Sequence, residues 1–238
     1  MKPITTIVLA RHGQSTYNAE DRFTGSYDAP LTARGREQAK NCAYMLQNYA
    51  FDVVIRSSLQ RAIDTSQMII RGSNSKSIMV TDARLNERDY GHLTGLNKHD
   101  SIQKYGEDQV FLWRRGFETC PPGGESLQQT LLRVQSFCRE KLMPLASQHS
   151  SILIVAHGNS LRAMILELLK LTPDHSTAIE VGWCTPWVLQ MHQNVITNIT
   201  IHSDSDHITN TLPSHVPHRI CKHYIPKKIS SQDDVAIA

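Results

Sequence analysis

The sequence predicts an α/β fold in three layers, α/β/α, with helices on both faces of a mostly parallel central sheet. Short aliphatic runs alternate along the chain with longer stretches of helical period, the pattern of repeated strand and helix units. Two of those runs, Ile7-Val8-Leu9-Ala10 and Ile152-Leu153-Ile154-Val155-Ala156, contain no polar residue, as expected of strands buried on both faces. The chain has 238 residues, 40% hydrophobic and 20% charged, enough for one full core.

Taken in order, Ile4 to Ala10 reads as the first strand. Leu31 to Leu46 reads as a helix, with Thr32 as N-cap and Ala39, Cys42, Ala43 and Leu46 at helical spacing. Phe51 to Ile55 is a second buried strand. Ser57 or Ser58 then caps a helix running to Ile70, with Ala62, Thr65, Ser66 and Ile69 on its inner face. Arg61 falls in the first turn of that helix, where it can reach back to the sheet edge. Residues 71–77 read as a loop and Ile78-Met79-Val80 as a short strand. Residues 84–124 are irregular apart from a helical stretch near 99–116, and end in Pro121-Pro122-Gly123-Gly124. A helix from about Leu127 to Leu145 follows, then a strand over 152–156 and a helix from Ser160 to Leu169. Trp187 to Met191 and Ile196 to Ile201 complete the core. One catalytic domain is expected over 1–205. Beyond it the periodicity fades, and 206–238 reads as a polar tail.

Composition narrows the function. A formal charge of +3 without a long basic stripe fits a local cationic pocket and argues against nucleic acid. No run approaches the ~20 apolar residues of a spanning helix, so no membrane partner is expected. The residues before Arg11 are too short an apolar stretch for a signal peptide. The five cysteines (42, 120, 138, 184, 221) are odd in number and lack a C-x-x-C pair. That reads as reduced thiols in a cytoplasmic protein. His202, His207, His215, His218, Cys221 and His223 crowd the tail, but their spacing matches no zinc motif, so no metal site is assigned.

Both unbroken runs end in His-Gly: Arg11-His12-Gly13 and His157-Gly158. Each histidine therefore falls at the carboxyl end of a strand, the edge where open α/β sheets bind ligands. Two in the same structural position suggest one shared site. Each glycine would permit close backbone approach to a bound group. A strand-end histidine commonly does no more than donate to a carbonyl, and that reading stays open for His12 alone. Its neighbours Gln14, Ser15 and Asn18, with Thr24 and Gly25, offer the donors of an oxyanion loop. Arg11, Arg61 and His157 could face phosphate oxygens, although Arg61 could equally form an exposed helix salt bridge. Glu87, in the charged segment Arg84 to Gly91, is a candidate general acid and base; a solvated charged loop is the alternative. Lys98, Arg114 and Arg115 would add cations beyond those one phosphoryl group needs, implying a substrate with a second anion.

Arg11-His12-Gly13, Leu85-Asn86-Glu87-Arg88-Asp89-Tyr90-Gly91, Leu93-Thr94-Gly95-Leu96-Asn97-Lys98, Trp113-Arg114-Arg115 and His157-Gly158-Asn159-Ser160-Leu161-Arg162 together resemble the histidine phosphatase superfamily. Within it they resemble most the cofactor-dependent phosphoglycerate mutases, over roughly residues 4–200. The resemblance implies that His12 is the phosphorylated nucleophile and Glu87 the proton donor and acceptor. Arg11, Arg61 and His157 would grip the transferring group. Ser15, Asn18, Thr24, Gly25, Gly158 and Asn159 would line the pocket, and Arg88, Tyr90, Lys98, Arg114 and Arg115 would hold the rest of the substrate. It implies interconversion of 2-phosphoglycerate and 3-phosphoglycerate in glycolysis and gluconeogenesis, primed by 2,3-bisphosphoglycerate and independent of metal. It also admits a homodimer. Gln14 and Ser26 depart from the common Glu and Trp, and the short passage between Thr119 and Glu125 resembles a shortened bacterial form. Two other functions stay open: a phosphatase of small monoesters, in which water takes the group from His12, and a binding protein without catalysis. The tail, through Lys227 and Lys228, is a candidate lid.

Overall fold

Seven strands form one mixed sheet whose order, β3-β2-β4-β1-β5-β6-β7, places the first and fourth strands side by side. The computed structural model describes residues 4–71, 76–202 and the backbone of 221–224. β1 (Thr5–Arg11) leads through the single-turn α1 (Thr16–Ala19) and α2 (Ala33–Met45) to β2 (Val53–Arg56), α3 (Gln60–Ile70) and β3 (Ile78–Thr81). Next come α4 (Lys98–Tyr105), α5 (Glu107–Arg115), α6 (Leu127–Phe137) and α7 (Met143–Gln148). β4 (Ser151–Ala156), α8 (Gly158–Leu168), β5 (Trp187–His192), β6 (Val195–His202) and β7 (Cys221–Tyr224) follow. Among these strands β5 alone runs against the rest, pairing antiparallel with β1 and β6. The chain leaves β1 towards β2 on one side and leaves β4 towards β5 on the other. The β1–β4 boundary is thus a topological switch point, where such sheets open a crevice.

Alternation within the central strands supplies both cores. Ile7 and Leu9 of β1, with Ile152 and Ile154 of β4, pack with Val134, Phe137, Leu161 and Met164 of α6 and α8. Val8 and Ala10, with Leu153 and Val155, pack with Ala39, Cys42, Ala62 and Ile69 of α2 and α3. Both faces of the sheet are covered, so the expected three-layer architecture is the one observed.

Several boundaries shift for physical reasons. Thr32 caps α2 as expected, accepting from the Gly35 amide. The capping role expected of Ser57 or Ser58 is not observed. The N-cap of α3 is Leu59 without a side-chain cap, and the two serines are engaged elsewhere: Ser58 with Asn86, Ser57 with His157. The helical stretch near 99–116 breaks at Gly106, whose φ of 84° ends α4 and begins α5. The long helix after Leu127 passes through a π-helical turn at Cys138–Leu142, just before Pro144. Proline cannot donate to the carbonyl four residues back, and a widened turn accommodates that loss. Part of the expected tail is also a strand: β7 pairs parallel with β6, Ile199 opposite Cys221. The lid residues Lys227 and Lys228 and most of the tail histidines lie outside the described residues.

Candidate active site

Strand register builds the centre of the site. β1 and β4 pair in parallel with Arg11 opposite Ala156, and the His12 amide donates to the Ala156 carbonyl at 3.0 Å. The next residue on each strand is the histidine, so the two imidazoles meet with ring centroids 4.9 Å apart. His12 Nδ1 donates to the Gly13 carbonyl at 2.6 Å. That fixes its proton on Nδ1 and leaves Nε2 as the lone-pair nitrogen, which accepts a long hydrogen bond from Arg61 Nε at 3.4 Å. The commonplace strand-end hydrogen bond is thus also what orients the ring. Burial, helped by Arg61 and Arg11, holds the His12 pKa well below the usual histidine value. Burial and then Arg61 do the same for His157. Both rings are neutral near pH 7.

Around them stand fixed cations. Arg61 is wholly buried and donates to the carbonyls of Tyr27 and Gly25, at 2.8 and 3.0 Å. Burial pulls it down to about 10 against the opposing pull of Glu87 and Asp28, which leaves it charged. The alternative of an exposed salt bridge is met only in part: the side chain is buried, and its ion pair with Asp28 is long, at 4.0 Å. Arg11 donates to the Val181 carbonyl and lies over the Trp183 ring, while its Nε is buried without a partner among the described residues. Glu87 faces this group with its Oε1 held by two amides, those of Arg88 at 2.9 Å and Asn159 at 3.1 Å. The second amide belongs to the first turn of α8, where a carboxylate is favoured.

A cavity of about 130 Å³ gathers most of the expected residues: Arg11, His12, Asn18, Thr24, Gly25, Arg61, Glu87, Tyr90, Lys98, Arg114, Arg115, Gly158 and Asn159. His157 stands directly behind its wall, against His12. Ser15 and Arg88 do not line it. The Ser15 hydroxyl caps α1 and donates to Asn18. Arg88 is fully buried, donating to Tyr90 and to the carbonyls of Trp113 and Arg114. It supports the wall from behind. Four lining residues carry no sequence-based assignment: Arg22, Phe23, Arg162 and Glu180. Arg162 was detectable in principle, since it lies one helical turn after Asn159 and donates to its Oδ1 at 2.7 Å. Glu180 Oε2 accepts from both Arg115 and Arg162, at 2.7 and 3.2 Å. Its position in an irregular segment gave no signal. The cavity thus sets seven cationic side chains (Arg11, Arg22, Arg61, Lys98, Arg114, Arg115, Arg162) against two carboxylates (Glu87, Glu180).

The two signature glycines differ. A Cβ on Gly13 would lie 2.2 Å from the Gly35 carbonyl oxygen, so this glycine serves the packing of β1 against α2 and not a bound group. At Gly158 the nearest atoms are Arg11 Cζ at 3.5 Å and Glu87 Oε2 at 3.6 Å. There the missing side chain leaves open the space between two charged groups.

The fold and the site define an α/β protein in which a neutral, oriented histidine faces a cationic cavity. The sequence profile of the histidine phosphatase superfamily (branch 1) matches residues 7–202, and the chain belongs to that superfamily. It is 42% identical over 181 residues to 2,3-bisphosphoglycerate-dependent phosphoglycerate mutase 2 of Gloeobacter violaceus, covering 76% of this chain and 83% of that protein. The fold is similar to that of the alpha-ribazole phosphatase from Shigella flexneri, with a TM-score of 0.71 and 26% identity, covering 81% of this chain and 93% of that one. It is equally similar to a mycobacterial glucosyl-3-phosphoglycerate phosphatase, with a TM-score of 0.71 and 27% identity, covering 79% and 91%. No helix among the described residues is long and apolar enough to cross a membrane.

Proposed function

We propose that this chain is a 2,3-bisphosphoglycerate-dependent phosphoglycerate mutase that interconverts 2-phosphoglycerate and 3-phosphoglycerate through phosphorylated His12. The observation that carries the reading is the presence of Lys98, Arg114 and Arg115 in the same cavity as the His12 nucleophile. One phosphoryl group is served by Arg11, Arg61 and His157; the further cations suit a second anion on the same small substrate. Phosphorylated His12 gives its group to one hydroxyl of the monophosphoglycerate and takes back the group carried on the other oxygen. Glu87 accepts the proton of the attacked hydroxyl and returns it to the oxygen from which the second group departs. The far cations hold the substrate carboxylate while it reorients. The primer 2,3-bisphosphoglycerate supplies, when bound, the phosphoryl group that first charges His12. The excess of cations fits its charge, with Arg11 and Arg61 at one end and Lys98, Arg114 and Arg115 at the other to hold it.

Hydrolysis is the second reading, favoured by the phosphatase names of the similar solved structures. In it water takes the group from His12. A coupled assay of 3-phosphoglycerate with and without bisphosphoglycerate, counting released phosphate in parallel, separates the two. Isomer formed only with primer supports the mutase; phosphate released in step with substrate loss overturns it in favour of the phosphatase.

A further inference from the structure

We propose that Ser57 fixes the proton of His157 on Nδ1, so that the second histidine meets the bound anion as a hydrogen-bond donor. The inference rests on the proposed function only in requiring that an oxyanion occupies the site. Ser57 follows β2 directly and is fully buried, its amide bonded to the Val155 carbonyl near the end of β4. This brings its Oγ to 2.6 Å from His157 Nε2. The same oxygen accepts the Leu59 amide at 3.2 Å, and among the described residues its single proton has His157 Nε2 as its acceptor.

A count of protons then selects the tautomer. If Ser57 donates to Nε2, the ring proton lies on Nδ1, and one group stays unsatisfied: the Nδ1–H, which is buried without a partner among the described residues. If Nε2 carries the proton, two groups are unsatisfied, the Ser57 hydroxyl proton and the Nδ1 lone pair. The first arrangement is the better, because each unmet buried polar group carries a desolvation cost. The charged side chains acting on His157 are Arg61, Arg11 and Arg133, all cations, a setting that favours an anion as the acceptor for Nδ1–H. The two imidazoles thereby take complementary forms. His12 spends its Nδ1 proton on Gly13 and presents a lone pair, whereas His157 spends its Nε2 lone pair on Ser57 and presents a proton. Ser57 is a positioning residue, acting through His157.

The test reads the tautomer directly. Long-range ¹H–¹⁵N spectra of the full chain at neutral pH, with His157 identified by the signals lost in His157→Asn, are expected to show Nδ1 protonated and Nε2 bare. Inorganic phosphate should move the His157 Nδ1–H signal together with those of His12. In Ser57→Ala the proton should redistribute to Nε2 and phosphate affinity should fall about tenfold, as for one well-oriented hydrogen bond. Ser57→Thr should restore both. A wild-type ring protonated on Nε2 overturns the proposal, as does a Ser57→Ala protein with unchanged tautomer and affinity. If Ser57→Ala does not fold, the wild-type spectrum decides alone. Phosphate that moves His12 but not His157 defeats the role of Ser57 only; phosphate that moves neither defeats the anion site itself.

Discussion

At the sheet edge, His12, His157, Arg61 and Arg11 are set by strand register and by main-chain carbonyls. Across the cavity, Lys98, Arg114 and Arg115 stand on two short helices inserted between β3 and β4. Arg61 is 0% exposed, whereas the Arg115 side chain is 28% exposed and its partner Glu180 42%. Lys98, 19% exposed, is tied to Asp21, which is 62% exposed. Solvated pairs of this kind contribute little and are easily exchanged. The buried half cannot change without disturbing β1 and β4, while the exposed half can change with modest effect on the fold. On the proposed function, one rigid phosphoryl-transfer centre carrying an exchangeable recognition wall would account for relatives named as mutases and as phosphatases on one architecture.

The largest expected effect tests the rigid half. His12→Ala should abolish covalent phosphorylation and turnover while leaving the circular dichroism spectrum native; retained turnover would refute the assignment of the nucleophile. Glu87→Gln should slow transfer by about 10²–10⁴-fold while phosphoglycerate still binds, measured by single-turnover kinetics and calorimetry. Next, the two glycines should separate packing from chemistry. Gly158→Ala puts a methyl in ordinary contact with Arg11 and Glu87, in space a substrate would enter; displacing that substrate by ~1 Å costs about 10²-fold in rate, without loss of stability. Gly13→Ala drives a methyl into the Gly35 backbone and should cost about 3 kcal/mol of stability or more, read by chemical denaturation. If Gly13→Ala folds normally, the distinction between the two positions is lost. In the exposed half, Arg114→Ala should raise KM for phosphoglycerate about tenfold, the worth of one charge-assisted contact. Hydrolysis of a simple aryl phosphate should be unaffected. An equal fall in both would mean that the two halves do not act separately.

The rigid half was legible in the sequence and the exposed half only partly. A strand covered on both faces must be aliphatic throughout, so β1 and β4 announced themselves, and the histidines were read from their ends. Thr32 was legible because an N-cap is a local arrangement. Arg88 misled because a dense run of charges looks like a binding segment, whereas its guanidinium is satisfied by carbonyls brought from α5. Ser57 misled in the same way: its position fits a helix cap, but the partner it meets comes from a strand 100 residues away. Glu180 and β7 left no periodic trace, one sitting in an irregular segment and the other held by main-chain pairing to β6.

The mildest perturbation, a change of pH, addresses the buried half through its two imidazoles. Both have folded-state pKa values well below 6.5, chiefly because burial penalises the charged ring. The unfolded chain therefore binds protons that the native state refuses as the pH drops below 6.5. Stability from these groups is fully present above that value and declines beneath it, by about 1.4 kcal/mol per pH unit for each imidazole until the folded-state pKa is reached. Denaturation midpoints followed from pH 7 to 5 should show this slope in the wild type and a shallower one in His12→Asn, which removes one of the two rings. An identical slope in both would mean that His12 accepts a proton in the folded chain. A protonated ring has no Nε2 lone pair to offer, so that result would confine phosphoryl transfer through His12 to pH values above about 6.5.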